Sequence, residues 1–168
     1  MNFELEGSPI ALIETEPKQK KNQILSVGKA DNNIEEYKCN PKETIQQLPD
    51  VSNERTILYV TGASGSGKSY YIKNFALQYK KLYPKRSIFV FSALADDKGS
   101  LDKIKGLKRV KIHDPEFLAE EITTDQFAES FCIFDDTEAI SNKVLRKKVH
   151  TIMDGILTTG RHFSITCA

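Results

Sequence analysis

The chain has 168 residues, of which 39% are hydrophobic and 28% charged, and its formal net charge is +1. This length accommodates one domain with a substantial core and an additional segment, whereas the near-neutral charge balance excludes the strongly basic composition of a dedicated nucleic-acid-binding protein. No apolar run approaches the length of a membrane span, and Glu4 and Glu6 occupy positions where a secretory signal carries basic residues, so the sequence predicts an intracellular, cytoplasmic protein without a membrane partner.

The three cysteines, Cys39, Cys132 and Cys167, do not have the spacing of metal ligands. Cys132 and Cys167 stand in apolar runs, where a free cysteine behaves as a small hydrophobic residue. This usage is typical of a protein in a reducing compartment.

Residues 1–55 differ in pattern from the rest of the chain and are predicted to form an N-terminal extension that is partly disordered. The apolar runs at residues 10–13 and 23–27 are expected to pair as a hairpin. Residues 41–48 are expected to form a short helix that ends at Pro49. The main domain is therefore predicted to span residues 56–168.

A phosphate-binding sequence stands at the start of this domain. The run GASGSGKS fits the pattern G-x-x-x-x-G-K-[ST]. Residues 56–60 before it predict a buried strand, and apolar residues at helical spacing after it predict a helix up to Pro84. In this context Lys68 reaches the β- and γ-phosphates and the Ser69 hydroxyl ligates Mg²⁺. The residues predicted to bind ATP are Gly62, Ala63, Ser64, Gly65, Ser66, Gly67, Lys68 and Ser69.

The remaining elements alternate between strands and helices, which predicts a mainly parallel sheet covered on both faces. The predicted fold is therefore α/β, a three-layer P-loop NTPase sandwich. The predicted strands are 87–91, 109–112, 131–134 and 163–168, and the predicted helices are 100–107, 114–122 and a long one between Ile140 and Gly160.

Acidic residues follow the strand at 131–134. A buried strand of this kind carries an acid to the sheet edge beside the phosphate loop, and Asp135 is predicted to hold Mg²⁺ there. Asp136 is the first candidate for the residue that orients the attacking water, and Glu138 is the second. Both could instead cap the following helix. Asp96 or Asp97 stay open as the metal-binding acid, because small-molecule kinases use an acid on a neighbouring strand.

Arg161 lies between the long helix and the last strand, in the run Gly-Arg-His. It could reach the γ-phosphate of a neighbouring subunit, act as a sensor in its own subunit, or cap the helix C-terminus as a cation. His162 is predicted to be structural. The polar face of the long helix is either solvated or turned toward DNA, and it carries Lys143, Arg146, Lys147 and Lys148.

The runs GASGSGKS, FCIFDD and TTGRHFSITCA together resemble the FtsK/HerA-like superfamily of P-loop ATPases. More narrowly, residues 56–168 are similar to the genome-packaging ATPases of poxviruses and other large nucleocytoplasmic DNA viruses. The resemblance implies an ATP-driven translocase of double-stranded DNA that works as a homo-oligomeric ring with capsid proteins as partners, in the host cytoplasm or the virion. Lys68 and Ser69 match the family's phosphate and Mg²⁺ residues, Asp135 its metal-binding acid, and Asp136 its neighbouring catalytic acid.

The sequence departs from this family in two ways. Asp136 stands where glutamate is more usual, and the chain ends at Ala168, where the last strand normally presents a polar sensor residue. The domain is therefore expected to be truncated, with a sheet that is incomplete at its C-terminus. Two alternatives to a hydrolytic motor remain: a small-molecule or nucleotide kinase, and a nucleotide-binding module that does not hydrolyse ATP.

Overall fold

The computed structural model describes residues 8–15, 23–27, 43–49, 55–94 and 101–168. The chain divides into two compact units, Met1–Asn53 and Glu54–Ala168. Among the helices in the described ranges, none combines the length and the hydropathy that crossing a membrane requires.

The described residues of the first unit form an antiparallel three-stranded sheet. Its strands are β1 (Ser8–Thr15), β2 (Gln23–Val27) and β3 (Glu43–Gln47), in the order β2-β1-β3. The predicted pairing of residues 10–13 with 23–27 is present, with Leu12 opposite Ile24.

The helix predicted at residues 41–48 is wrong, because these residues contain β3, which pairs antiparallel with β1. Ile13 lies opposite Ile45, and hydrogen bonding along the second side of β1 overrides the weak helical preference of a five-residue segment. The predicted disorder concerns residues outside the described ranges.

The second unit is an α/β domain, and its described residues form a parallel four-stranded sheet and three α-helices. Its elements are α1 (Lys68–Leu82), β4 (Ser87–Ser92), β5 (Leu107–Arg109), α2 (Pro115–Ala119), β6 (Ser130–Asp135), α3 (Lys143–Thr159) and β7 (Thr166–Cys167). The strand order is β5-β4-β6-β7, and every neighbouring pair is parallel.

Helices cover both faces of this sheet, so the unit has three layers. On one face α1 packs Phe75 and Tyr79 against Phe131 and Ile133 of β6. On the other face the buried side of α3 packs in the cluster that contains Cys132. Because successive residues of β6 are buried on opposite faces, the strand is apolar along most of its length, as the sequence predicted.

Several predicted boundaries shift. The helix predicted at 100–107 is a 3₁₀ turn, Leu101–Lys103, which is followed by Gly106 at a φ of 81°. The positive φ breaks the helix, and β5 begins directly afterwards, two residues before the strand predicted at 109–112. The last predicted strand is also shorter, because a 3₁₀ turn, Gly160–Phe163, precedes β7.

Residues 56–60 lie extended beside β7 rather than forming the predicted buried strand. Ile57 makes a parallel bridge with Cys167, and the Leu58 amide donates to the Cys167 carbonyl at 2.8 Å. Within the described part of this unit β7 alone pairs with the segment, and Tyr59 is 91% exposed. The segment therefore runs next to β7, so that β7 lies between it and β6.

Two buried thiols give this core a pH dependence. Cys132 and Cys167 are paired across β6 and β7, and burial raises the pKa of each from its usual 9.0 to about 12. The unfolded chain therefore releases these protons above about pH 9, whereas the folded chain keeps them, so the free energy of unfolding falls as the pH rises from 9 toward 12.

We expect each thiol to lower the free energy of unfolding by about 1.4 kcal/mol at about pH 10 relative to neutral pH. Urea unfolding of the natural chain and of the double variant Cys132→Ala/Cys167→Ala, measured at both pH values, checks this. The variant should lose less stability at high pH. Equal losses in the two proteins would contradict the shifted pKa values, since the other titrating groups are common to both.

Candidate functional site

The loop predicted to bind phosphate connects residues 56–60 with α1. Its backbone turns at Gly65 and Gly67, whose φ angles are 76° and 91°, values that side chains strongly disfavour. The loop is closed by the Lys68 ammonium, which donates to the carbonyls of Gly62 at 3.1 Å and Ala63 at 3.2 Å. The ammonium is thus held against the backbone of the loop itself.

The first turn of α1 is arranged to receive an anion. Gly67 occupies the N-cap position, so no side chain caps the helix, and the first turn contains no acidic residue. The amide groups at the start of a helix have no partner within the helix, and the helix dipole adds a partial positive charge there. The start of α1 therefore offers amide donors and the Lys68 charge on the same side.

Two carboxylates follow β6 at the same edge of the sheet. Asp135 ends β6 and is half-buried. Asp136 is exposed and adopts a left-handed conformation with a φ of 49°. A non-glycine residue in this region is uncommon and costs about 1 kcal/mol or more. This conformation turns the chain sharply out of the sheet immediately after the strand.

The structure brings some of the predicted residues to one cavity of about 490 Å³, although residues 62–67 of the predicted phosphate loop do not line it. Lys68 and Ser69 line it from α1, and Asp135, Asp136 and Glu138 line it from the end of β6. Residues 57–60 and the apolar side chains of α3 complete its wall. One cavity at the carboxyl ends of the parallel strands thus combines an ammonium, a hydroxyl and three carboxylates.

These side chains fit a magnesium ion that takes few ligands from the protein and most of them from water and a bound phosphate compound. Among the residues that the structure describes, no group of three His, Cys, Asp or Glu side chains could hold a metal ion. Mg²⁺ commonly takes one or two protein oxygens and completes its octahedron with water and substrate phosphates. Ser69 and Asp135 could supply two such oxygens.

Glu138 is turned toward α3. Its Oε1 lies 3.4 Å from Nε2 of His150, without the geometry of a hydrogen bond, and its carbonyl accepts from Arg146 at 3.1 Å. Neither Glu138 nor Asp136 caps α3. That role belongs to Asn142, whose side chain accepts from the amides of Val144 and Leu145, so capping of α3 does not explain the two acids.

Arg161 is not brought to this cavity. It lies in the 3₁₀ turn that precedes β7, and the amide of Glu129, which precedes β6, donates to Phe163 in this same turn at 2.8 Å. Because β6 and β7 are parallel, this turn lies at the amino edge of the sheet, opposite the predicted phosphate loop. The geometry therefore does not favour a sensor role for Arg161 in its own subunit.

Arg55, which the sequence did not single out, provides the cation at the end of α3. Its guanidinium donates to the carbonyls of Ile156 and Leu157 in α3 at 2.9 and 3.1 Å, and to that of Ile165 at 2.9 Å. These carbonyls are more than 100 positions away in the sequence, so no local pattern could reveal the contact. Arg55 anchors residues 56–60 to the C-terminal end of α3.

Two of the basic side chains on the polar face of α3 form hydrogen bonds within the domain. Lys148 donates to the carbonyls of Leu118 and Glu120 at the end of α2, and Arg146 binds Glu138 as described. Lys143 and Lys147 remain exposed. His162 lies 3.4 Å from the Arg161 side chain and is exposed. Asp96 and Asp97 lie outside the described residues.

Comparison with known proteins gives one informative similarity. The chain is 37% identical over 111 residues to a protein of the Sputnik virophage that is named only as uncharacterized protein V3. The match covers 66% of this chain and 44% of that relative, so the chain spans less than half of the relative's length. No family model matches the chain, and no solved structure matches it.

Proposed function

We propose that residues 56–168 form a P-loop ATPase domain that binds Mg·ATP in the cavity at the carboxyl edge of the sheet and hydrolyses it. The observation that carries this proposal is the convergence of Lys68 and Ser69 with Asp135 and Asp136 on one cavity. These residues are about 66 positions apart in the sequence, and each has the chemistry that its proposed role requires.

Each role follows from the position of the side chain. The amides of the loop and of the first turn of α1 bind the phosphates. Lys68 moves from the carbonyls of Gly62 and Ala63 to the β- and γ-phosphate oxygens. Ser69 and Asp135 would hold Mg²⁺, and the ion would supply positive charge opposite the phosphates. Asp136, which is exposed at the rim of the cavity, orients the attacking water.

The strand order supports the hydrolytic class of P-loop proteins. β7 lies between residues 56–60 and β6, which corresponds to the extra strand of hydrolytic P-loop ATPases. A small-molecule kinase, the main alternative, typically has its two nucleotide-binding strands side by side. The strand order therefore favours water over a bound acceptor as the nucleophile.

We further propose that the domain belongs to a viral DNA-packaging motor of the FtsK/HerA-like type. The motifs of residues 56–168 support this assignment, and the similarity to a virophage protein supports a viral setting. The proposed partners are double-stranded DNA, other copies of the chain in a ring, and capsid proteins, in the host cytoplasm or the virion. Arg161, on the opposite edge from its own cavity, is suited to act at the cavity of a neighbouring subunit.

The test is ATP turnover by the purified chain, with and without double-stranded DNA, at several protein concentrations. A motor whose site is completed between subunits should show turnover that DNA stimulates and that rises more steeply than linearly with concentration. Phosphate transfer to an acceptor other than water would favour the kinase. Binding of ATP without turnover at every concentration would favour a nucleotide-binding module that does not hydrolyse ATP.

A further inference from the structure

We infer that the amino edge of the parallel sheet carries a second binding surface, one for the phosphate backbone of double-stranded DNA. The surface is separate from the proposed ATP cavity at the opposite edge. It deepens the proposed function by naming where the DNA partner binds, although its own evidence does not depend on ATP hydrolysis.

The first observation is a concentration of positive charge. Residues 80–111 contain ten basic and three acidic residues, whereas the whole chain has a net charge of only +1. The rest of the chain is therefore net acidic. The net charge of the whole chain does not reveal this basic segment.

The fold collects part of this charge at one end of the domain. α1 ends at Leu82 and β4 begins at Ser87, and Ile88 of β4 pairs with Leu107 of β5. The end of α1, the start of β4 and the turn before β5 therefore meet at the amino edge. We define the amino-edge surface by the cations found there: Lys81, Lys85, Arg86, Lys105 and Lys108.

The charges of this surface are mostly not neutralised within the domain. Lys81, Lys85, Lys105 and Lys108 are exposed, and no carboxylate of the described residues forms an ion pair with any of them. Arg86 differs from the four lysines, because its side chain is only 12% exposed and has the Glu129 carboxylate at 3.8 Å. By contrast, Arg109, at the other end of β5, is paired with Asp102 at 2.8 Å.

A cavity of about 310 Å³ lies within this surface, and its charged lining residues are Lys85, Arg86, Lys108 and the acid Glu129. Two aromatic rings position its cations, since Arg86 lies 4.1 Å from the centre of the Tyr83 ring and Lys108 lies 5.4 Å from that of Phe89. A phosphate group fits such a site, because the three cations outnumber the single carboxylate in its lining.

Duplex DNA is the polyanion that this arrangement favours. Tyr83 and Phe89 are half-buried and are covered by cations, so they are poorly placed to stack on the unpaired bases that single-strand binding uses. Exposed lysines on neighbouring elements can contact the phosphates of a duplex without any base contacts. β4 is six residues long, so the surface lies about 20 Å from the ATP cavity, and the two ligands should not compete.

The test uses the full chain and a fluorescent duplex of random sequence, with binding measured by anisotropy between about 50 and 200 mM salt. The variant Lys85→Gln/Lys108→Gln removes two cations of the cavity. We expect binding at least about tenfold weaker at low salt and a slope of log K against log salt that is smaller by about 1.8, because each lost phosphate contact contributes about 0.9. Glu129→Gln should strengthen binding, since it removes the acid at the rim.

The matched control is Lys143→Gln/Lys147→Gln, which removes the same charge from the exposed face of α3. Equal weakening by the two double variants, or no duplex binding by the natural chain at low salt, would overturn the assignment. The assignment would also be overturned if the natural chain bound phosphatidylserine vesicles as tightly as the duplex and Lys85→Gln/Lys108→Gln abolished both kinds of binding. ATP binding by Lys85→Gln/Lys108→Gln and duplex binding by Lys68→Ala are measured alongside, so that failure of the ATP site and failure of the DNA surface are seen separately.

Discussion

Replacing Lys68 with alanine is expected to weaken the binding of Mg·ATP by about 10- to 100-fold. The ammonium is the one cation of the described residues that lines the cavity beside Asp135 and Asp136. A hydrogen bond to a charged group contributes about 1.5–3 kcal/mol, which corresponds to this range of affinity. Equilibrium titration with a fluorescent ATP analogue measures the change directly.

The same substitution should leave the fold almost unaffected. Among the described residues, Lys68 donates to two exposed loop carbonyls. Water can satisfy these carbonyls after truncation, so thermal unfolding without nucleotide should be nearly unchanged. Lys81→Ala, at the other end of α1, is the control and should bind ATP normally. Normal ATP binding by Lys68→Ala would rule out the phosphate-loop interpretation.

Asp136→Asn should abolish ATP hydrolysis while leaving ATP binding intact. The amide retains the size of the side chain but cannot act as a base, and loss of a positioned base typically costs 10²- to 10⁴-fold in rate. Single-turnover hydrolysis and equilibrium binding, measured on the same preparation, separate the two effects. The left-handed backbone at this position should tolerate the change, since asparagine adopts that conformation readily.

Glu138→Gln is the matched variant for the second candidate base. Its side chain is 80% exposed and lies beside His150 on α3 rather than over the phosphate loop. We therefore expect Glu138→Gln to reduce turnover much less than Asp136→Asn does. If Asp136→Asn hydrolyses ATP at the natural rate and Glu138→Gln does not, Glu138 rather than Asp136 is the catalytic base.

The sequence predicted well those elements whose signals are local. The apolar runs that became β4 and β6 are buried on both faces by helices, so almost any apolar residue fits them, and hydrophobicity alone identifies them. α1 was predicted from its buried residues Ile72, Phe75, Ala76 and Tyr79, which recur at helical spacing. The convergence of Lys68 and Asp135 follows from the rule that parallel strands present their carboxyl ends at one edge.

Features that depend on distant contacts were not predictable in the same way. β3 forms because β1 offers a second hydrogen-bonding edge, which overrides local helix preference. The exposure of Tyr59 depends on which strands flank residues 56–60. Arg55 donates to carbonyls that are distant in the sequence and lie beside it only in the folded domain. The amino-edge surface was missed because Lys85 and Lys108 belong to different elements that meet only in the folded domain.

The proposed ATP site is tested most directly by calorimetric titration of the natural chain with ATP, in the presence of Mg²⁺ and again with the metal chelated. We expect saturable binding of one nucleotide per chain that weakens when Mg²⁺ is removed, because the ion that Ser69 and Asp135 would hold would no longer offset the charge of the phosphates. Absence of saturable binding in the presence of Mg²⁺, or affinity that is unchanged on chelation, would contradict it.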